Sequence, residues 1–304
     1  VYRRERADTA GAGEMRGGVG IEYMLKPHRA RSDIGAVFFA SGMSHNETKG
    51  VAGGYPGSIQ HNFILRGAGL KDRFEGGDIP LTAEEAGYRS IEVPQAKDAG
   101  TLADDDAWVC FCNGGGGYGD PLLRLDGRVA RDVGLGLCTR DEAARLYGVI
   151  VGADGRADPV ASEARRKAIR AARIETGRRL GEDVQTIRAD TAPELFKVGR
   201  SLAVVAHEGR HVMACRHCGH VLGPASDDPR RHALMVERQP VDLSPTNHHA
   251  LNGQVVVRIY CCPTCTTSFS SDVQLSDEDP RMPEMKLRLG EAVGATGRTQ
   301  PAEA

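Results

Sequence analysis

"HEGRHVMACRHCGHVLG" (residues 207–223) carries two overlapping metal patterns, and the choice between them decides how the C-terminal part folds. His207-Glu208-Gly209-Arg210-His211 spells H-E-x-x-H, which needs a helix so that both histidines share a face while the glutamate activates water. The context opposes a helix: "LAVVA" (202–206) before the motif and "VMAC" (212–215) after it are strand-like. Glu208-Gly209 falls where a turn belongs, and Gly weakens a helix by about 1 kcal/mol relative to Ala. A β-hairpin is therefore predicted, with His207 and His211 as hairpin residues. Cys215-x-x-Cys218-Gly219 reads instead as one zinc knuckle, and Cys262-Pro263-Thr264-Cys265 supplies the second. Zinc takes four soft or borderline ligands in a tetrahedron, and each C-x-x-C turn offers two thiolates. Cys215, Cys218, Cys262 and Cys265 are thus the expected ligands of a structural zinc ion, since four protein ligands leave no open position for catalysis. A redox dithiol is the rival reading. Cys261 adjoins a ligand and must face elsewhere, as a small buried apolar residue. With four cysteines available, His217 and His220 are not needed, and His248 and His249 are expected at the surface.

Working outward, 304 residues allow two domains. The 39 Lys+Arg against 41 Asp+Glu leave no basic excess for a nucleic acid. No run approaches 18 apolar residues, so no membrane span is expected. Five of the eight cysteines lie between 215 and 265, and without a secretion signal this clustering favours metal ligation in a reducing cytoplasm over disulfides. The chain opens Val-Tyr-Arg-Arg-Glu-Arg and enters patterned sequence at once, so the start of a longer polypeptide is expected ahead of it.

The predicted fold class is α+β: a strand-rich glycine-loop domain with a C-terminal helix (1–195), a small zinc-ribbon-like β domain (196–288), and a disordered tail (289–304). "GVGIEYML" (18–25) and "IGAVFFAS" (34–41) have strand composition, and "DAWVCFCNGGGGYGDP" (106–121) reads as a strand running into a glycine loop. Thr139 is placed to cap a helix that ends near Gly148. A second helix follows from Pro159 towards Leu180, capped by Asp158, its arginines forming a solvated face. Residues 181–200 read as a connector.

Four stretches in this order, "TAGAGEMRGGVGIEYML" (9–25), "KGVAGGYPG" (49–57), "CNGGGGYGDPLLR" (112–124) and "RVARDVGLGLCTRDEAARLYGVIV" (128–151), resemble the C-terminal part of the hydantoinase B/oxoprolinase family. "VMACRHCGHVLG" (212–223) and "VRIYCCPTCTTSF" (257–269) resemble the zinc-binding gamma subunit of acetone carboxylase, with one departure: Thr266 stands where that family usually has Gly. The resemblance implies a component of a multi-subunit ATP-dependent, biotin-independent carboxylase of the acetone/acetophenone type. It implies a hydantoinase A-like partner subunit holding ATP and Mg, and a remaining N-terminal hydantoinase B-like portion holding the catalytic metal. No catalytic residue carries over to this chain. The alternatives are a subunit of an ATP-dependent amidohydrolase acting on hydantoins, 5-oxoproline or related lactams, and a non-catalytic zinc-ribbon interaction module. Against nucleic-acid binding by such a module, Tyr260 is the single aromatic between 215 and 265.

What does carry over is a framework: Gly11, Gly13, Arg16, Gly17, Gly18, Gly20, Gly114, Gly115, Gly116, Gly117, Tyr118, Gly119 and Asp120. Glycines permit positive φ and close backbone approach, and without a Gly-Lys-Ser/Thr ending the run is no phosphate loop. A packing turn near a subunit interface or active-site wall is the plainer reading. Arg16 is a candidate to grip a carboxylate or phosphate, or to pair with a buried Asp. His45 and Lys49, in another glycine-rich loop, are candidate contacts for substrate or phosphate.

Overall fold

The computed structural model describes residues 1–181, 194–247 and 253–280. His248, His249 and the expected disordered tail lie outside them. The first part contributes β1 (Tyr2–Glu5), β2 (Ile21–Leu25), β3 (Ile34–Phe39), β4 (His61–Arg66), α1 (Leu70–Glu75), α2 (Ala83–Ala86), β5 (Ser90–Glu92), β6 (Lys97–Leu102) and β7 (Ala107–Phe111). The middle contributes α3 (Asp126–Gly134), α4 (Arg140–Leu146), β8 (Ile150–Val151), β9 (Ala157–Asp158), α5 (Pro159–Thr176) and β10 (Arg178–Arg179). The last part contributes β11 (Glu194–Val198), β12 (Leu202–His207), β13 (Arg210–Cys215), β14 (Val221–Pro224), β15 (Leu234–Arg238), β16 (Val255–Cys261) and β17 (Ser268–Leu275). This is a strand-rich α+β architecture with few helices.

An antiparallel sheet of order β1-β2-β7-β4-β5 forms the first layer. Its central strand β7 buries Ala107 and Val109, which pack with Met24, Leu65 and Leu70. β3 pairs with β6 as a separate ribbon, and Phe38 meets Trp108 edge to face at 5.3 Å. The two C-terminal sheets run β11-β12-β13-β14 and β10-β15-β16-β17. Every residue of β16 is buried. A strand covered on both faces reads as a continuous apolar run, and Val255–Val257 and Ile259–Cys261 fit that pattern.

Local rules place the caps as expected. Thr139 accepts from the Glu142 amide at 3.2 Å, and Asp158 accepts from Val160 and Ala161 amides at 3.0 Å each. The H-E-x-x-H stretch is the expected hairpin. Glu208 (φ 48°) and Gly209 (φ 73°) form a two-residue turn of the kind that suits the twist of paired strands, with His207 opposite Arg210.

Three features differ from expectation. α5 ends at Thr176, because Gly177 turns the chain extended and Arg178 and Arg179 pair with Met235 and Leu234; tertiary strand pairing overrides helix propensity there. Part of the expected connector is strand, β11. The arginines of α5 are also not all solvated. Arg166, Arg170 and Arg173 fall at i, i+4 and i+7, one helical face. Arg166 donates to the Tyr147 and Arg124 carbonyls, Arg170 to the Cys265 carbonyl, and Arg173 is 3% exposed. This face joins the chain's two ends. A single apolar core likewise draws Ala12, Tyr55, Val129 and Val149 together with Leu234, Val236, Val257 and Ile259. Among the described residues, no helix is long and apolar enough to cross a membrane.

Candidate metal centre and the Asp120 junction

Both C-x-x-C turns are built alike. The Gly219 amide donates to the Cys215 carbonyl at 2.8 Å, and the Cys215 amide to the His220 carbonyl at 2.8 Å. In the second turn Thr266 donates to Cys262 and Cys262 to Thr267, each at 2.9 Å. The residue after the last cysteine is left-handed in both: Gly219 at φ 74° and Thr266 at φ 57°. Thr266 therefore holds the glycine conformation, at a cost of about 1–2 kcal/mol for a residue with a Cβ. Its hydroxyl is buried without a partner among the described residues. Thr266→Gly is expected to stabilise the chain by about 1 kcal/mol after the entropy of a freer unfolded state is deducted; urea unfolding checks it.

The turns bring Cys215, Cys218, Cys262 and Cys265 together, with all four sulfur atoms within 4.8 Å of one another. Cys215 Sγ lies 3.6 Å from Cys265 Sγ, and Cys218 Sγ lies 3.5 Å from Cys262 Sγ. A tetrahedral zinc with bonds of about 2.3 Å separates its sulfurs by roughly 3.8 Å, whereas a disulfide needs about 2.05 Å. The donor set fits a closed four-thiolate site. As thiols these groups compete for protons. Hydrogen bonding with Cys215 lowers Cys218 to about 7 and holds Cys265 far below the usual thiol range, while Cys215 and Cys262 are pushed up. A divalent cation held by these four sulfurs would replace that contest with four thiolates. His217 is exposed, and His220 is turned to Thr264 Oγ1 at 3.0 Å. Neither joins the cluster. Cys261 is fully buried and its thiol is pushed up to about 12 by burial.

Next to this centre stands a buried ion pair that the sequence reading did not single out as a pair. Asp120 is 0% exposed and accepts two bonds from Arg173, at 2.8 and 3.1 Å. It also accepts from the Leu122 amide at 2.9 Å and the Ser268 amide at 2.8 Å. Arg173 donates in turn to the Thr266 carbonyl at 2.7 Å and the Tyr55 hydroxyl at 2.9 Å. Burial pushes the Asp120 carboxyl up, but the Arg173 guanidinium and the two amides outweigh it and hold the group below the usual carboxylate range. One carboxylate thus ties the glycine loop, α5 and the second knuckle into one network. The legible signal was the Asp-Pro after the glycine run together with an arginine stripe at helical spacing.

The glycine framework is explained by contact rather than by turns. Three segments (9–20, 48–58 and 112–120) lie backbone against backbone. Gly11 donates to the Gly115 carbonyl, Gly117 to Tyr55, and Tyr55 to Ala12, at 2.7–2.9 Å. A Cβ on Gly114 would sit 1.9 Å from the Thr9 carbonyl oxygen, on Gly17 2.0 Å from that of Gly115, and on Gly116 2.0 Å from that of Lys49. Gly11, Gly13, Gly20 and Gly117 face similar contacts. Within 112–120 only Gly119, at φ 75°, needs the left-handed region. Gly18 has open space, and an added Cβ on Gly115 would meet nothing nearer than the Gly18 amide nitrogen, at 3.1 Å. Gly114→Ala is therefore expected to cost about 1–3 kcal/mol and Gly18→Ala less than about 0.5 kcal/mol, measured as the difference in urea midpoint.

The remaining candidates are scattered. Arg16 lies against Asp132 (Nε to Oδ2 3.1 Å), which Arg124 also holds at 2.8 Å. His45 is exposed beside Ser44, and Lys49 is exposed while its carbonyl packs on Gly116. Tyr118 bridges Met15 and Val51.

Residues 2–121 match the hydantoinase B/oxoprolinase family, and residues 191–286 match the acetone carboxylase gamma subunit family. The acetone carboxylase alpha subunit of Xanthobacter autotrophicus is 30% identical over 189 residues, which span 57% of this chain and 24% of the relative. Caprolactamase subunit beta of Pseudomonas jessenii is 33% identical over 168 residues, 53% of this chain and 24% of the relative. The chain thus matches under a quarter of the length of these curated relatives. Among solved structures, nucleotide-free acetone carboxylase aligns with TM-score 0.49 at 27% identity, covering 62% of this chain and 26% of the other. ATP-dependent caprolactamase from Pseudomonas jessenii aligns with TM-score 0.43 at 25% identity, covering 55% and 25%.

Proposed function

We propose that a chain joining a hydantoinase B/oxoprolinase domain to an acetone carboxylase gamma-like domain is a component of a multi-subunit, ATP-dependent, biotin-independent carboxylase of the acetone/acetophenone type. The observation that carries this reading is the presence of both domains on one chain, the second with its four cysteines gathered. The zinc-bearing part distinguishes a carboxylase component from plain lactam hydrolases. In this reading residues 1–195 form the hydantoinase B-like portion and 196–288 a zinc-stabilised lobe, in a reducing cytoplasmic setting where thiolates persist.

A hydantoinase A-like subunit would bind ATP and Mg, and the rest of the hydantoinase B-like portion would hold the catalytic metal. Phosphorylating a carbonyl or amide oxygen makes an unreactive substrate reactive, either by trapping an enol or by creating a leaving group. The residues of this chain would supply the scaffold: the glycine framework, with Arg16, His45 and Lys49 as candidate contacts where it meets partner or substrate. Similarity to caprolactamase subunit beta favours a second reading, ATP-dependent opening of a lactam or hydantoin ring.

The deciding experiment reconstitutes the chain with its hydantoinase A-like and remaining hydantoinase B-like partners and supplies ATP with labelled bicarbonate. A carboxylase transfers label from bicarbonate to a ketone substrate. Ring opening of a lactam without incorporation of label would select the second reading.

A further inference from the structure

Between α4, α5 and the β15–β16 face of the second C-terminal sheet lies a cleft of about 400 Å³, within the range of roughly 300–1,000 Å³ typical of small-molecule sites. Leu146, Val236, Leu243 and Ile259 make its floor, and each is at most 9% exposed. Tyr55 and Arg173 close it at the Asp120 junction. Arg145, Arg165, Arg238 and Asp242 also line it.

The charges of that lining do not cancel. Glu142 binds both of its oxygens to Arg145, at 2.5 and 2.6 Å, and Asp120 neutralises Arg173. Arg165 spends its Nε on the Ala144 carbonyl, and neither of its terminal nitrogens has a partner among the described residues. The Arg238 side chain, half-buried in the lining, has no hydrogen-bond or ion-pair partner among the described residues. Against these two guanidinium charges stands Asp242 alone, one oxygen of which already accepts the Gln239 amide. One positive charge is left over. Tyr55 adds a neutral donor: its hydroxyl accepts from Arg173, burial keeps the phenol protonated, and its own proton remains to be given.

We propose that this cleft binds a small organic monocarboxylate, its apolar body on the Leu146–Ile259 floor and its carboxylate held by Arg165 and Arg238. The match is of number as well as kind: one uncompensated cation, one anionic head, and an apolar floor for a body that water rejects. A dianion would overrun the available charge, and a cation would meet two arginines. This inference does not depend on the proposed carboxylase activity.

Calorimetric titration of the full chain with acetate, butyrate, hexanoate and hexylamine tests it. Hexanoate should bind saturably with one site per chain, affinity should rise about fourfold per added methylene from acetate, and hexylamine should not bind. Arg238→Gln should weaken hexanoate at least tenfold, and Lys167→Gln, which removes the same charge from an exposed site on α5, should leave it unchanged. Ala168, an exposed residue of α5, also lines the cleft; Ala168→Phe fills it and should abolish binding even if the arginine variant folds poorly. Absence of saturable hexanoate binding, equal binding of hexylamine, or equal loss in the Lys167 variant would each overturn the proposal.

Discussion

Asp120→Asn is expected to destabilise the chain by about 3–5 kcal/mol, nearly as much as Asp120→Ala, although asparagine keeps the shape of the side chain. The reason is what remains behind. Arg173 is 3% exposed, and in the Asn variant its charge meets only neutral acceptors: the amide oxygen of the new side chain, the Thr266 carbonyl and the Tyr55 hydroxyl. An uncompensated buried cation costs several kcal/mol, far more than a lost neutral hydrogen bond of about 1 kcal/mol. The loss is a large share of a typical stability of about 5–15 kcal/mol. The double variant Asp120→Asn/Arg173→Met should recover much of it, because replacing both partners removes the stranded charge; a cycle of urea unfolding measurements gives the coupling. The sign of the pH effect follows from the lowered carboxyl. A group whose pKa is depressed on folding contributes stability above its unfolded value of about 3.9, and that contribution is lost as pH falls through the folded value. The native chain should therefore lose stability in acid along a limb the Asn variant lacks. A cost below about 1 kcal/mol for Asp120→Asn would show that water reaches Arg173.

The parts of this arrangement that were legible in the sequence are those set by neighbours along the chain. C-x-x-C spacing fixes two thiols on one turn, Glu208-Gly209 suits a two-residue hairpin turn, and Thr139 and Asp158 cap because the amides they satisfy are two or three residues away. What escaped depends on distant partners. Arg166, Arg170 and Arg173 look like a solvated face until acceptors at residues 124, 147, 120, 265 and 266 are placed opposite them. The glycines around 114 suggest turns, yet most are needed because other backbone segments pass within touching distance. Gly177 breaks α5 for the sake of a pairing with β15. Burial of charge and backbone-to-backbone packing leave no period in the sequence, so composition and pattern could not announce them.

Purified chain is expected to carry about one zinc ion, and its removal by a strong chelator should lower the melting temperature by on the order of 10 °C or more. Small zinc-finger peptides owe their whole fold to the ion, with binding worth about 10–16 kcal/mol. This lobe differs, since Val204, Met213, Leu222 and Tyr260 form an apolar core of their own. Only part of that free energy should therefore appear as lost stability, and the sheets should survive chelation as seen by far-ultraviolet circular dichroism. The loss should not stay local. The second knuckle supplies the Cys265 and Thr266 carbonyls to Arg170 and Arg173, and Ser268 supplies an amide to Asp120. A loosened knuckle frees those groups and so weakens the join between the chain's two ends. Amide exchange should accordingly rise in the knuckle turns, at Ser268, and in the glycine loop around Leu122. Cys218→Ser should reproduce this pattern and lose the metal, whereas Cys261→Ala, three residues from Arg258 in the same strand and outside the cluster, should keep it. Cobalt in place of zinc should give the intense sulfur-to-metal absorption of four-thiolate tetrahedral coordination. If the isolated chain holds no metal under reducing conditions and instead forms a reversible disulfide, the four cysteines are a redox device, and the structural-ion account of the lobe fails.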